Sequence, residues 1–321
     1  MLDNSPLNGN AFTSAHQTTL AGSVTCSGIG LHSGAPVHLT LKPAESDSGI
    51  RFMRLDVPRE VSVVPAYYLN VSDTMLGTTI RNEFGTTVST IEHLTAALWG
   101  LGVDNATITL DGPEVPIMDG SSEPFVFLIE CAGVKTLPAH RDTIEVLKKV
   151  SVKEGDSTAS IRPFDGFALN ISIDYPGTII TRQQAFYDFS SQSFKHALCR
   201  ARTFGFASDV ERLRAMGLAR GGSLDNAIVV GEKDVLNEEG LRYGDEFVRH
   251  KALDCVGDYA LSGSRIRGAV STTRPGHGIN NKLLQALLAD RNAWRLVSSA
   301  QAVPLPLHSA RVKEVRGLLA S

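Results

Sequence analysis

The chain has 321 residues, of which 42% are hydrophobic and 20% charged, with a formal net charge of −3 and a pI near 6.3. That length accommodates two domains with cores of their own. The charge balance speaks against a dedicated nucleic-acid binder, and no apolar run approaches the roughly 20 residues that a bilayer-spanning helix needs.

The first 17 residues are polar and lack both a basic n-region and an apolar h-region. They are expected to form a flexible tail and not an export signal, which places the chain in the cytoplasm. Leu20 to Thr25 and Val37 to Leu41 alternate like strands around the turn Ser27-Gly-Ile-Gly-Leu-His-Ser-Gly34. That turn holds a G-x-G, but no helix follows, so a dinucleotide fingerprint is not indicated. Strand patterns continue over Val61 to Val71, Thr78 to Arg81 and Thr86 to Ser89.

The period then changes. Ser89-Thr-Ile-Glu92 has the spacing of a capping box, with Ile91, Leu94, Ala97 and Leu98 at helical intervals and Gly100 and Gly102 as stop signals. Ala106 to Leu110 reads as a strand, Asp111-Gly-Pro113 as a turn and Pro124 to Cys131 as a helix. Leu137-Pro-Ala-His140 reads as a linker. Beyond it come strands at Ile144 to Val152, Thr158 to Arg162 and Ala168 to Ile173, then helices. No sequence repeat survives alignment, yet the shared order points to two α+β domains of similar plan, spanning 18–138 and 139–302. The stretch from Val303 onward reads as a peripheral tail.

Four segments carry candidate chemistry. Phe247 to Asp258 sets His250, Asp254 and Asp258 at i, i+4 and i+8, one strip of a helix, while Val248, Ala252, Val256 and Tyr259 recur on another side. The strip is either a solvated acidic face or part of a divalent-metal site. Glu92 is either a cap on its helix or a catalytic carboxylate. The adjacent His93 points about 100° away, so the two cannot share one task. His277, bracketed by glycines in Arg274-Pro-Gly-His-Gly-Ile-Asn-Asn281 ahead of a helix from Lys282 to Leu288, is either a locally bonded loop histidine or a functional one. Arg200 to Phe206 precedes an amphipathic stripe of Val210, Leu213, Met216 and Leu218, which either packs in the core or lines an apolar groove. The four cysteines, Cys26, Cys131, Cys199 and Cys255, are scattered without a C-x-x-C pair. Reduced thiols fit that spacing, so any metal must be held by histidine and carboxylate.

From about Thr18 to about Ala302 the chain resembles the UDP-3-O-acyl-N-acetylglucosamine deacetylases, zinc enzymes of lipid A biosynthesis in Gram-negative bacteria. The motifs that carry the resemblance, in order, are Gly28-Ile-Gly-Leu-His-Ser-Gly34, Ser89-Thr-Ile-Glu-His-Leu-Thr-Ala-Ala-Leu98 and Gly112-Pro-Glu-Val-Pro-Ile-Met-Asp-Gly-Ser-Ser122. Arg200-Ala-Arg-Thr-Phe-Gly-Phe206, Gly221-Gly-Ser-Leu-Asp-Asn226, Val248-Arg-His-Lys-Ala-Leu-Asp254 and Gly276-His-Gly-Ile-Asn-Asn-Lys-Leu-Leu284 complete the set. Each is weak alone; the ordered series is specific.

The resemblance implies two domains, each a two-layer sandwich of a mainly antiparallel sheet on helices, with the active site between them. It implies His93, His250 and Asp254 as ligands of one Zn²⁺ with an open fourth position, an arrangement that Fe²⁺ also accepts. Glu92 would be the general base. His277, oriented and kept charged by Asp258, would serve the oxyanion and the leaving amine, and Thr203 would donate to the oxyanion. Lys251 matches a substrate contact, Arg274 a basic position near His277, and Asp174-Tyr175 a place near the nucleotide. The acyl chain is expected beside Phe204, Ala207, Val210, Leu213 and Leu218, with Met75 and Leu76 flanking its entrance. Gly77 stands where some relatives carry a larger residue, which bears on the width of that passage.

The expected substrate is therefore a UDP-3-O-acyl-N-acetylglucosamine and the expected assembly a monomer. Two other readings stay open: a metal hydrolase of the same fold acting on another acetamido sugar, and a non-catalytic metal-stabilised binding module. A bifunctional chain with an added thioester dehydratase domain does not fit in 321 residues.

Overall fold

The computed structural model describes residues 14–189 and 194–301. The expected tail from 303 onward and the first 13 residues lie outside these. In the first half, β1 (His16–Leu20), β2 (Val24–Ile29), β3 (Pro36–Pro43), β4 (Ile50–Arg54) and β5 (Val63–Pro65) precede a small insertion of β6 (Val71–Asp73), β7 (Thr79–Arg81) and β8 (Thr87–Val88). Then come α1 (Glu92–Gly100), β9 (Ala106–Leu110), α2 (Glu123–Ala132) and β10 (Val134–His140). The second half opens with β11 (Asp142–Val146), β12 (Val150–Glu154), β13 (Ser157–Arg162), β14 (Phe167–Ile173) and β15 (Gln183–Asp188). Its insertion carries α3 (Phe194–Ala197), β16 (Phe204–Phe206), α4 (Val210–Ala215) and β17 (Ile228–Val230). It closes with α5 (Glu246–Tyr259), β18 (Arg265–Thr273), α6 (His277–Ala289) and β19 (Trp294–Ser298).

The chain is α+β, and its two halves share one wiring. The first sheet runs β2-β3-β9-β4-β5, with β9 antiparallel to β3 and parallel to β4. In the second, β12-β13-β18-β14-β15 repeats that order, with β18 antiparallel to β13 and parallel to β14. β11 and β19 extend it alongside the start of β18. α1 therefore corresponds to α5 and α2 to α6, and each half carries its insertion before the first of these helices. The similarity of plan lies in connection order, where sequence alignment has nothing to detect.

Burial follows from this layering. β3 alternates, with Val37, Leu39 and Leu41 inward, whereas β9 is buried at every position. α1 and α5 pack against each other between the two sheets. α1 buries Glu92 through Trp99, and α5 buries all but Arg249 and Lys251 of its 14 residues. A helix covered all round cannot show a one-sided apolar stripe. The two helices touch backbone to backbone at Gly257, where a Cβ would lie 2.1 Å from the Glu92 carbonyl oxygen. Thr95 Oγ1 donates to the Gly257 carbonyl at 3.0 Å across the same crossing.

Several sequence expectations change. Leu20 to Thr25 is not one strand: β1 pairs with β10, β2 with β3, and the chain turns at residues 21–23. His16 and Gln17, expected in the tail, open β1. Leu137 to His140, expected as a linker, is the end of β10, with His140 opposite His16. Ile144 to Val152 is broken between β11 and β12, and Val61 to Val71 holds only β5 and the first residue of β6. β-propensity marks extended chain, but strand partners across the fold decide where each piece stops.

Candidate metal centre and active site

α1 and α5 bring His93, His250 and Asp254 together, with one ligand atom from each lying within 4.8 Å of the others. Asp254 Oδ1 is 3.3 Å from His250 Nε2 and 3.7 Å from His93 Nε2, and all three side chains are buried. The rings of His93 and His250 stand edge to face at 5.0 Å. His250 Nδ1 donates to the Ala201 carbonyl at 3.1 Å, which leaves Nε2 as a bare lone pair aimed at the carboxylate. Asp254 Oδ1 has no hydrogen-bond partner among the described residues. Two lone-pair acceptors facing each other in a buried site repel unless a cation lies between them.

The electrostatics agree. Burial, then the neighbouring His250 ring, push His93 down to about 3, and burial lowers His250, so both imidazoles are neutral donors. Burial alone would raise the Asp254 carboxyl, but His250, Lys251 and His277 hold it well below the usual carboxylate range. Lys251 Nζ donates to Asp254 Oδ2 at 2.9 Å and fixes the oxygen that faces away from the histidines. This donor set, two neutral imidazoles and a carboxylate with an orphaned oxygen, fits a divalent cation.

Beside it sits a second buried pair of titratable residues, Glu92 and His277. Glu92 opens α1 at its first helical position with Ile91 as N-cap and no side-chain cap, so the expected capping box is absent. Ser89 Oγ instead accepts from Thr79 Oγ1, and Glu92 Oε2 accepts the Thr78 N–H at 3.0 Å. Its carboxylate bonds to Thr78 and makes no capping hydrogen bond to its own helix. Burial, moderated by His277, raises it to about 7. His277, expected in a loop, is the first residue of α6 and is buried. Its Nδ1 lies 2.9 Å from Asp258 Oδ2 and its Nε2 3.9 Å from Glu92 Oε1. Burial would depress this imidazole, but the Asp258 and Glu92 carboxylates more than offset that and lift it to about 9. The strip of His250, Asp254 and Asp258 is buried throughout, so it is not a solvated face.

The remaining candidates spread outward. Thr203 precedes β16, is half-buried and donates its N–H to the Gly120 carbonyl at 2.8 Å. The Phe204 ring lies 6.3 Å from His250 and 5.8 Å from Tyr175, with Lys251 Nζ 5.6 Å above it. A cavity of about 230 Å³ is lined by Met75 and Gly77 from the first insertion and Gly217 and Leu218 from the second. Met75 and Leu76 are exposed at its rim, and no residue of α4, Val210 and Leu213 included, is buried, so its stripe is not core packing. Arg274 is already paired, with Asp156 at 3.0 Å and Asp174 at 3.2 Å.

Four buried polar residues escaped the sequence reading. Thr78 touches both Glu92 and Asp258, and Asn280 Nδ2 donates to Asp258 Oδ2 at 2.8 Å. Ser122 Oγ donates to the His93 carbonyl at 2.7 Å. Glu246, fully buried, accepts from Arg202 Nε at 2.9 Å and holds the segment leading to Thr203. Their place inside quoted motifs was the signal available for Ser122 and Asn280; Glu246 lay just outside one, and Thr78 in a segment read only as strand.

A family model for UDP-3-O-acyl N-acetylglycosamine deacetylase matches residues 17–289. The chain is 47% identical over 293 residues to the UDP-3-O-acyl-N-acetylglucosamine deacetylase of Hahella chejuensis, covering 91% of this chain and 96% of that protein. It is 48% identical over 292 residues to the proteins of that name from Actinobacillus succinogenes and Pasteurella multocida, covering 90% and 95%.

Proposed function

The chain belongs to the UDP-3-O-acyl N-acetylglycosamine deacetylase family, and on that premise we propose that Glu92, His277 and the His93–His250–Asp254 centre carry its reaction. It is an amide hydrolase that removes the N-acetyl group of UDP-3-O-acyl-N-acetylglucosamine in lipid A biosynthesis. Water adds to the acetamide carbonyl, the C–N bond breaks, and acetate and a free amine leave.

His93, His250 and Asp254 hold a divalent cation, Zn²⁺ in this reading with Fe²⁺ as the competitor the same donors accept. Bound there, the cation supplies Lewis-acid polarisation and makes water a nucleophile near neutral pH. Glu92, raised to about 7, takes the proton from the attacking water through Oε1, since Oε2 is held by Thr78. His277 carries its proton on Nε2, faces the same space and gives that proton to the departing nitrogen. Asp258 keeps the ring oriented and charged. The Thr203 hydroxyl donates to the oxyanion.

For the substrate, Lys251 contacts the polar head, Tyr175 and Phe204 offer aromatic faces, and Arg274 serves the diphosphate. The acyl chain follows Met75, Leu76, Val210, Leu213 and Leu218. The first domain is taken to run from β1 through β10 and the second to begin at β11, which moves the expected division at 138 to the residue between His140 and Asp142. No helix among the described residues is long and apolar enough to cross a membrane. A cytoplasmic location is part of the proposal, supported by the nucleotide-sugar substrate and by cysteines that are all free thiols, and a monomer is the assembly proposed with it.

The observation that carries this reading is the orphaned Asp254 Oδ1 between two neutral imidazoles, next to Glu92 and His277. Glu92→Gln is expected to lose about 10²- to 10⁴-fold in kcat with the metal still bound, measured as acetate release alongside metal analysis. Undiminished turnover in that variant would contradict the assignment. Equal rates on simple acetylated sugars would move the substrate elsewhere.

A further inference from the structure

Two functional groups of the proposed site reach their working orientation through one residue that belongs to neither. Thr78 lies in the first-half insertion, just before β7, and is 2% exposed. Its N–H donates to Glu92 Oε2 at 3.0 Å, and its hydroxyl donates to Asp258 Oδ1 at 2.6 Å, across 180 residues of sequence. Its carbonyl accepts the Ile91 N–H at the mouth of α1. The chain is bent to make this contact: Leu76 has φ +61, and Gly77 runs so close that a Cβ would meet Glu92 Oε1 at 3.1 Å.

The oxygens Thr78 occupies are those the chemistry does not use. With Oε2 held, Glu92 presents Oε1. With Oδ1 held by Thr78, and Oδ2 taken by Asn280 Nδ2 at 2.8 Å and His277 Nδ1 at 2.9 Å, the Asp258 carboxylate cannot rotate and His277 presents Nε2. These two free atoms are 3.9 Å apart. We propose that Thr78 is a positioning residue for the deacetylation, setting the base on Glu92 against the acid on His277 by bonding to Glu92 and to Asp258 at once. This rests on the functional reading above.

Thr78→Val keeps the shape and the backbone N–H and deletes only the hydroxyl. In the metal-loaded full chain it is expected to lower kcat about 10- to 100-fold with KM unchanged within about twofold and metal content retained. Thr78→Ser restores the donor and is expected to recover kcat to within about threefold of the parent. In an Asp258→Ala background the same Thr78→Val change should cost less than about threefold, because the acceptor its hydroxyl bonds to is gone. Thr78→Ala, which cannot clash, is read in the same way should the valine variant fail to fold. A hydroxyl-free variant within about threefold of the parent kcat overturns the proposal, as does a serine variant as slow as the valine one, or full additivity with Asp258→Ala. Failure of the underlying reading looks different: Glu92→Gln and His277→Ala would then retain activity.

Discussion

Glu92 and His277 face each other with 3.9 Å between Oε1 and Nε2, and each titrates away from its ordinary range because of what surrounds it. The base works when ionised and the acid when protonated. Glu92 is raised to about 7 and His277 to about 9, so kcat/KM should rise through about pH 7 and fall through about pH 9. The two limbs belong to the pair as much as to either residue. Asp258 is the largest influence raising His277, so Asp258→Asn should move the alkaline limb to lower pH. A profile whose alkaline limb stays in place would contradict that role. At this scale the motifs singled out His93, His250, Asp254 and His277 as candidates, and the fold brings them together. The sequence left Glu92 open between cap and catalytic carboxylate and placed His277 in a loop, because local spacing says nothing about a backbone N–H at Thr78 or a carboxylate at Asp258.

Helices α1 and α5 are short on apolar patterning and long on burial, which is the reverse of an amphipathic surface helix. A backbone contact at Gly257 fixes their approach, and the proposed metal ligands come from both helices, His93 from α1 and His250 and Asp254 from α5. Gly257→Ala places a methyl 2.1 Å from the Glu92 carbonyl, too close to be absorbed by a side-chain rotation. The helices must move apart, at a cost of about 1–3 kcal/mol. Displacing Glu92 and His93 by even about 1 Å should cost on the order of 10²-fold in activity. Denaturant midpoints and kcat/KM of the variant check both; a variant with parental activity would show that the crossing has slack. The i, i+4, i+8 strip on α5 was readable from spacing alone, but spacing by itself favoured a solvated face over a metal site. Packing of α1 over the strip removed the solvated face as an explanation.

Across the whole molecule, one half supplies His93 and the other His250 and Asp254, so a bound cation ties the halves together. Free metal at about 1,000 times its Kd stabilises a protein that binds it only when folded by about 4 kcal/mol. Chelation should therefore abolish acetate release and lower the melting temperature, with both restored on adding Zn²⁺. The melting temperature of His93→Ala should not respond to chelator; a response as large as the parent's would place the stabilising ion elsewhere. The halves share a five-strand order, β2-β3-β9-β4-β5 against β12-β13-β18-β14-β15, which places α1 and α5 in equivalent positions. The sequence by itself determined the α+β class, the donor types and, through an ordered set of motifs, the family, because those are carried by residue identity and local spacing. The tertiary structure alone decided which residues are neighbours. Thr78 reaches Asp258 across 180 positions, Leu137 to His140 is a strand because β1 lies beside it, and Asp254 Oδ1 is orphaned because two imidazoles from different helices converge on it. Such contacts depend on burial and on chain paths through the whole fold, and no local pattern encodes them.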